Sequence, residues 1–186
     1  GKSTIINALK DIPTLSKRFA FKGEILRDIK KTGIRINEYG SDETQLLVLS
    51  KMMEYATIPN TILDRCMLDC LVYTAYLYEN GQVKKNTLQI AEMLFEKIRY
   101  DIYFYIAPEF PIIHDGIRSE NLEFRDRVAE LFEEYMESYK LIPIRLSGNV
   151  EERVNCFINT IGMYDKWIMS ENEEKQKFME SIKLGS

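Results

Sequence analysis

Three short runs rich in β-branched and aromatic residues punctuate this chain: Thr61-Ile62-Leu63, Asp101-Ile102-Tyr103-Phe104-Tyr105-Ile106 and Ile142-Pro143-Ile144-Arg145-Leu146. Long segments with apolar residues at helical spacing separate them. Strands that alternate with helices pair through crossovers, which makes their sheet parallel and covers it on both faces. The expected class is α/β, a three-layer arrangement of helix, parallel sheet and helix. Ligands bind such sheets at the carboxyl ends of the strands. That rule places Gly1, Asp64, the loop after Ile106 and the turn at Ser147 on one edge.

The helical segments read as 1–10, 22–31 with Ile25 and Ile29 on one face, and a segment to about 56 that starts after the cap Ser41-Asp42-Glu43-Thr44. In that third segment Leu46, Leu49 and Met53 are expected to face inward, and Pro59-Asn60 ends it before the first strand. Further helices are expected over 66–78, 87–98, 122–139, 150–161 and 165–182. In 122–139 the apolar stripe is Phe124, Val128, Leu131, Phe132 and Tyr135. Pro143 counts against a central position for the last strand.

At 186 residues the chain fits a single domain over 1–186, and 45% hydrophobic with 29% charged residues is an ordinary globular balance. A net charge of −4 gives no basic excess of the kind that nucleic-acid binding favours, although 25 Lys and Arg leave room for a local basic groove. No segment approaches the roughly 18 apolar residues of a membrane span, and no signal-peptide pattern opens the sequence. Cys66, Cys70 and Cys156 read as reduced thiols of a cytoplasmic protein. One histidine, His114, is distant in sequence from the cysteines and gives a metal site too few ligands.

The chemistry-bearing motif at the start is Gly1-Lys2-Ser3-Thr4, directly before the amphipathic segment Ile5-Ile6-Asn7-Ala8-Leu9-Lys10. It matches the second half of the phosphate-loop pattern G-x-x-x-x-G-K-[ST]. The first glycine and the strand that precedes it are not in this sequence, so the numbering is expected to begin inside a longer natural chain. Unpaired N–H groups and the helix dipole attract phosphate oxygens at such a helix start. Gly1, Lys2, Ser3 and Thr4 are thus the candidate nucleotide-binding residues. Lys2 would reach the terminal phosphates of ATP, and the Ser3 hydroxyl would ligate Mg²⁺.

Asp64-Arg65, at the end of a buried strand, is the second element. The carboxylate suits the magnesium shell or the proton of an attacking hydroxyl, and the guanidinium suits bidentate binding of an acceptor. Asp69, five residues on, reads as a cap or a support. A third element spans 108–120, with Pro111-Ile112-Ile113-His114-Asp115-Gly116-Ile117-Arg118. It reads as a lid in which Gly116 permits hinging, Arg118 closes over transferring charge and His114 is a loop contact. Arg125 is a further candidate catalytic residue on the following helix. Arg127 reads mainly as a solvating residue beside Glu123, Asp126 and Glu130.

These residues, with Cys66-Met67-Leu68-Asp69 after the Asp-Arg pair, Tyr100 to Phe104, Leu146-Ser147-Gly148 and Glu152-Arg153, resemble the bacterial and phage P-loop kinases related to ribosylnicotinamide kinase. They are also similar to thymidylate-kinase-like and deoxynucleoside kinases. The resemblance implies a P-loop kinase fold with an arginine-bearing lid, ATP with Mg²⁺, and Ser147 and Gly148 near the adenine. It implies phosphoryl transfer to a nucleoside or nucleoside monophosphate. Alternatives are a ribosylnicotinamide-type kinase, a kinase acting on nucleic acid or a modified base, and a P-loop ATPase or switch with no small acceptor. An acceptor pocket lined by Tyr39, Arg35, Tyr73 and Arg65 would favour the kinase. Cys66 departs from the serine or aromatic residue common at its position. The sequence leaves a homodimer open.

Overall fold

A computed structural model describes residues 2–23, 25–31, 33–107 and 121–184, with side chains for all of these except 27, 30, 175 and 178–184. The elements run α1 (Lys2–Lys10), α2 (Pro13–Arg18), β1 (Ala20–Lys22), α3 (Ile25–Lys31), a 3₁₀ turn (Asn37–Tyr39), α4 (Asp42–Ala56), β2 (Thr61–Leu63), α5 (Met67–Glu79), α6 (Lys85–Lys97), β3 (Phe104–Tyr105), α7 (Leu122–Ser138), β4 (Ile144–Arg145) and α8 (Val150–Leu184). The chain divides into two compact units, Gly1–Arg145 and Leu146–Ser186. The lid expected at 108–120 lies outside the described residues.

Both strand pairings are parallel, as alternation with helices requires. β1 aligns with β2 through Ala20 against Thr61, Phe21 against Ile62 and Lys22 against Leu63. β3 aligns with β4 through Phe104 against Ile144 and Tyr105 against Arg145. Among the described residues these are two separate two-stranded sheets in a mostly helical fold. The strands are shorter than the sequence suggests. Pro143 has no N–H to give, so pairing with the 101–106 segment begins only where the Ile144 N–H reaches the Tyr103 carbonyl at 2.8 Å.

In the first unit the core is organised around α5. Met67, Leu68, Cys70, Leu71, Val72, Thr74, Ala75 and Leu77 are buried on every side of it, the pattern of a helix surrounded by others. α4, α6 and α7 pack around it. The α7 stripe falls as the spacing predicts, with Phe124, Val128 and Leu131 buried and Phe132 and Tyr135 packed against the core.

Four expectations need correction. α4 begins at its cap, where the Ser41 hydroxyl accepts the Thr44 N–H at 3.4 Å, but its inner face is Gln45, Val48, Leu49 and Met52. Leu46 and Met53 are 42% and 40% exposed. The polar Gln45 belongs to that face because the buried Thr74 hydroxyl donates to its amide oxygen at 3.0 Å. Second, Lys22 is the last residue of β1, and the helix there starts only at Ile25, past Gly23. Third, α2 and β1 were not expected at all. Last, 150–161 and 165–182 are parts of one helix, α8, whose Gly162 costs only about 1 kcal/mol inside a helix and breaks nothing.

Candidate active site

β1 and β2 end side by side. The Asp64 N–H extends the ladder by donating to the Lys22 carbonyl at 2.8 Å, which fixes the Asp64 Cα at the carboxyl edge. Gly23 continues β1 past the same point. A Cβ placed on it would stand 2.6 Å from the Asp64 Cβ, closer than carbon atoms approach, so the two strand ends converge only because residue 23 has no side chain.

Into this edge comes the start of α1. The Lys2 ammonium donates to Oδ1 of Asp64, forming an ion pair whose carboxylate partner is 15% exposed. Removal from water and the nearby Arg65 guanidinium together pull the Lys2 pKa below the ordinary lysine value, and the Asp64 and Asp69 carboxylates oppose them. Ser3 is half-buried in the first turn, and Thr4 faces solvent. Gly1 lies outside the described residues.

Arg65 turns the chain from β2 into α5 at φ +83°, a left-handed conformation that a long side chain adopts only when its surroundings enforce it. Its Nη1 lies 3.6 Å from Asp69 Oδ1, and its guanidinium sits over the Tyr73 ring, 5.2 Å from the centroid. α5 is secured at its start from two directions. Asp69 Oδ2 accepts the Cys66 N–H at 2.9 Å, and the Tyr100 hydroxyl accepts the Met67 N–H at 3.1 Å. Burial pushes the Cys66 thiol well above its usual pKa and the Cys70 and Tyr100 groups up as well, so all three are neutral packing groups rather than nucleophiles.

Asp64, Arg65, Asp69 and Tyr73 line part of a small, open-mouthed pocket. Ile25, Leu26, Ile36, Val48, Met52 and Cys70 supply an apolar lining, and Asn37, Thr44 and Gln45 add polar groups. A pocket mostly apolar with a few directed polar groups is the ordinary form of a small-molecule site. Of the four residues expected to line it, Arg65 and Tyr73 do. Tyr39 is 63% exposed, and neither it nor Arg35 belongs to this lining. Sequence reasoning missed Gly23, Asn37, Thr44 and Gln45. None of them carries a local signature, because the strand that Gly23 follows is itself not legible in the sequence.

The remaining candidates are dispersed or undescribed. His114, Gly116 and Arg118 lie outside the described residues. Arg125 closes the first turn of α7, next to Phe124, whose ring packs edge-on against Tyr73 at 5.8 Å. Arg127 instead binds three carboxylates, Glu79 at 2.7 Å, Glu134 at 2.8 Å and Glu130 at 3.0 Å, and ties α7 to the end of α5. In the second unit, Gly148 at φ +84° leads into α8. There Asn149 and Glu152 cap the helix reciprocally, each backbone N–H donating to the other's side chain. The buried Arg153 donates through Nε to the Gly148 carbonyl at 2.8 Å and so holds the Ser147-Gly148 turn. Among the described residues, no cluster of three or more His, Cys, Asp or Glu could hold a metal, and no helix is long and apolar enough to cross a membrane.

This arrangement, a helix that starts at Lys-Ser-Thr beside parallel strand ends, has the fold of the P-loop kinases. It is similar to NadR protein in complex with NR (TM-score 0.67, 19% identity) and to NadR in complex with NAD and AMP-PNP (0.64, 20%). Each match covers 88% of this chain and 48% or 46% of the NadR chain, so the chain spans about half the length of those proteins. It is also similar to deoxyadenosine kinase from M. mycoides with bound dCTP, at TM-score 0.55 and 15% identity over 88% of this chain and 94% of that one. No curated protein matches the sequence. The family described as an AAA domain matches residues 1–153, and the chain belongs to that family.

Proposed function

We propose that this protein transfers the terminal phosphoryl group of ATP to a hydroxyl of a nucleoside or nucleotide-like acceptor seated in the Asp64–Tyr73 pocket. The observation that carries this reading is the meeting of Lys2 with Asp64, a residue that lines that pocket. A phosphate-binding lysine and a carboxylate able to accept a hydroxyl proton then face the same point, one from the donor side and one from the acceptor side. On nucleotide binding Lys2 exchanges its carboxylate partner for phosphate oxygens, which frees Asp64 for the acceptor. Arg65 lies at the acceptor end and orients the bound molecule. The similar structures hold NR, NAD with AMP-PNP, and dCTP, which supports a nucleotide-using reading of this chain.

Magnesium fits the residues present. Ser3 and Asp64 offer two hard oxygen donors and no nitrogen or sulfur, and Mg²⁺ in phosphoryl transfer takes few protein ligands, the phosphates and water supplying the rest. When bound it neutralises developing charge on the phosphates. Arg118 and Arg125 remain the proposed cations for the transferring group, and Ser147 and Gly148 the proposed contacts to the adenine. A pocket beside the carboxylate favours the kinase over an ATPase or switch without a small acceptor.

The test is a phosphoryl-transfer screen with ATP and Mg²⁺ against nucleosides, nucleoside monophosphates, nicotinamide riboside and short oligonucleotides, read by product mass. A phosphorylated small acceptor is the expected result. Phosphate release unaffected by every acceptor would replace this reading with the ATPase.

A further inference from the structure

Arg65, in the turn just before α5, and Asp69 and Tyr73, one helical turn apart on it, all border the pocket. The Asp69 carboxylate is divided between two tasks. Oδ2 takes the Cys66 N–H, as an acid in the third position of a helix does when it closes the helix start. Oδ1 faces the Arg65 guanidinium instead. A residue needed only as a cap has no use for that second contact. Arg65 has special need of it: its backbone is in a left-handed conformation and its head lies near the Lys2 ammonium, a like charge that repels it. Tyr73 supports the guanidinium through its ring face and a side-chain hydrogen bond, and the Asp69 carboxylate adds an opposite charge 3.6 Å away.

We propose that Asp69 is the positioning residue of the acceptor site: it holds the Arg65 guanidinium on Tyr73 and against the pocket, so its charge serves acceptor use while its oxygen serves the helix start. The kinetic part of this inference rests on the phosphoryl-transfer reading above; the structural part does not.

Asp69→Asn separates the two tasks, since the amide oxygen still caps Cys66 while the charge facing Arg65 is gone. The melting temperature should stay within about 2 °C of the parent, because the asparagine amide oxygen can still accept the Cys66 N–H. The KM for ATP should stay within about twofold, and kcat/KM for the acceptor should fall by about tenfold or more. In an Arg65→Ala background, Asp69→Asn should change kcat/KM no further, because the residue it acts through is already missing. Unaltered acceptor kinetics in Asp69→Asn, or full additivity with Arg65→Ala, would overturn the proposal. A readout independent of activity is the Arg65 Nε–Hε resonance, assigned by its loss in Arg65→Lys. It should be dispersed and rigid in the parent and move to the averaged position of free arginines in Asp69→Asn. An unmoved resonance refutes the positioning role whatever the kinetics. A moved resonance in a protein that phosphorylates nothing supports the role and rejects only the kinase reading.

Discussion

Lys2 and Asp64 stand 62 residues apart in the chain, yet the Lys2 ammonium donates directly to the Asp64 carboxylate. The contact joins the first turn of α1 to the end of β2 and sets the cation of the phosphate motif against the carboxylate of the Asp-Arg pair. Arg65 next to them makes the spot electrostatically tense, with two cations and two carboxylates in partial burial. On the proposed reading, an anionic ligand that draws Lys2 and Arg65 to itself would relieve the repulsion between these two cations.

Lys2→Ala should therefore reduce phosphoryl transfer by about 10²–10³-fold, the usual cost of removing one preorganised donor to developing charge. The fold should survive, because Lys2 belongs to no buried apolar cluster. Turnover at saturating ATP and far-ultraviolet circular dichroism of the same preparation check both halves. Normal turnover would remove Lys2 from the chemistry.

Asp64→Asn should lower kcat far more than it weakens ATP binding, since the carboxylate is assigned to the acceptor proton and the metal shell during transfer. Nucleotide titration followed by steady-state kinetics separates these. Equal losses in both would assign Asp64 to ground-state binding alone.

How much of this was legible depended on whether the cause was local. The Ser41 cap, the Pro59-Asn60 break, the strand Thr61-Ile62-Leu63 and the Asp-Arg pair after it are each written in a few adjacent residues, and the structure has them where the spacing put them. The phase of α4 was not legible, because Gln45 on its inner face looks like a surface residue until Thr74 is beside it. β1 is three residues long with no alternation of burial, and only pairing with β2 makes it a strand. Of the residues that meet at the strand ends, the sequence singles out Lys2, Asp64 and Arg65. It does not reveal the requirement on Gly23, which exists only once two strand ends meet.

Gly23→Ala tests that requirement. The added methyl would overlap the Asp64 Cβ, and neither group is the far end of a flexible side chain that could swing away. The strand ends must part, at a cost of about 1–3 kcal/mol. Turnover should fall with stability, because Asp64 moves away from Lys2. Urea unfolding and kcat measured together decide it; a variant as stable and active as the parent would show that the ends separate freely.

Arg127→Ala should do the opposite, lowering stability by about 1 kcal/mol through loss of a networked surface cation, with turnover unchanged. Its partners Glu79, Glu130 and Glu134 hold it away from any reacting group. A fall in kcat with no loss of stability would return Arg127 to the candidate catalytic residues.

Asp42 yields a prediction about pH. It is the first residue of α4, yet it serves the start of α6, which has no side-chain cap of its own: Oδ1 accepts the Lys84 N–H at 2.9 Å and the Thr87 hydroxyl. The Thr87 hydroxyl first, and the Lys84 N–H second, hold its pKa below the ordinary aspartate value of 3.8. With the folded pKa depressed, the unfolded chain takes up the proton at higher pH than the folded one. The stabilisation is complete above the unfolded value and disappears as pH falls through the lower folded value. Asp42→Ala should cost about 1 kcal/mol at neutral pH, as loss of a helix cap does. Asp42→Asn should cost less at pH 7, because its amide oxygen can still accept, and its disadvantage to the parent should narrow as pH falls below the unfolded value. Urea unfolding of parent and Asn variant at pH 7, 5 and 3 measures that difference while cancelling the titration of every other carboxylate. A gap as wide at pH 3 as at pH 7 would show that the Asp42 charge plays no part in joining α4 to α6.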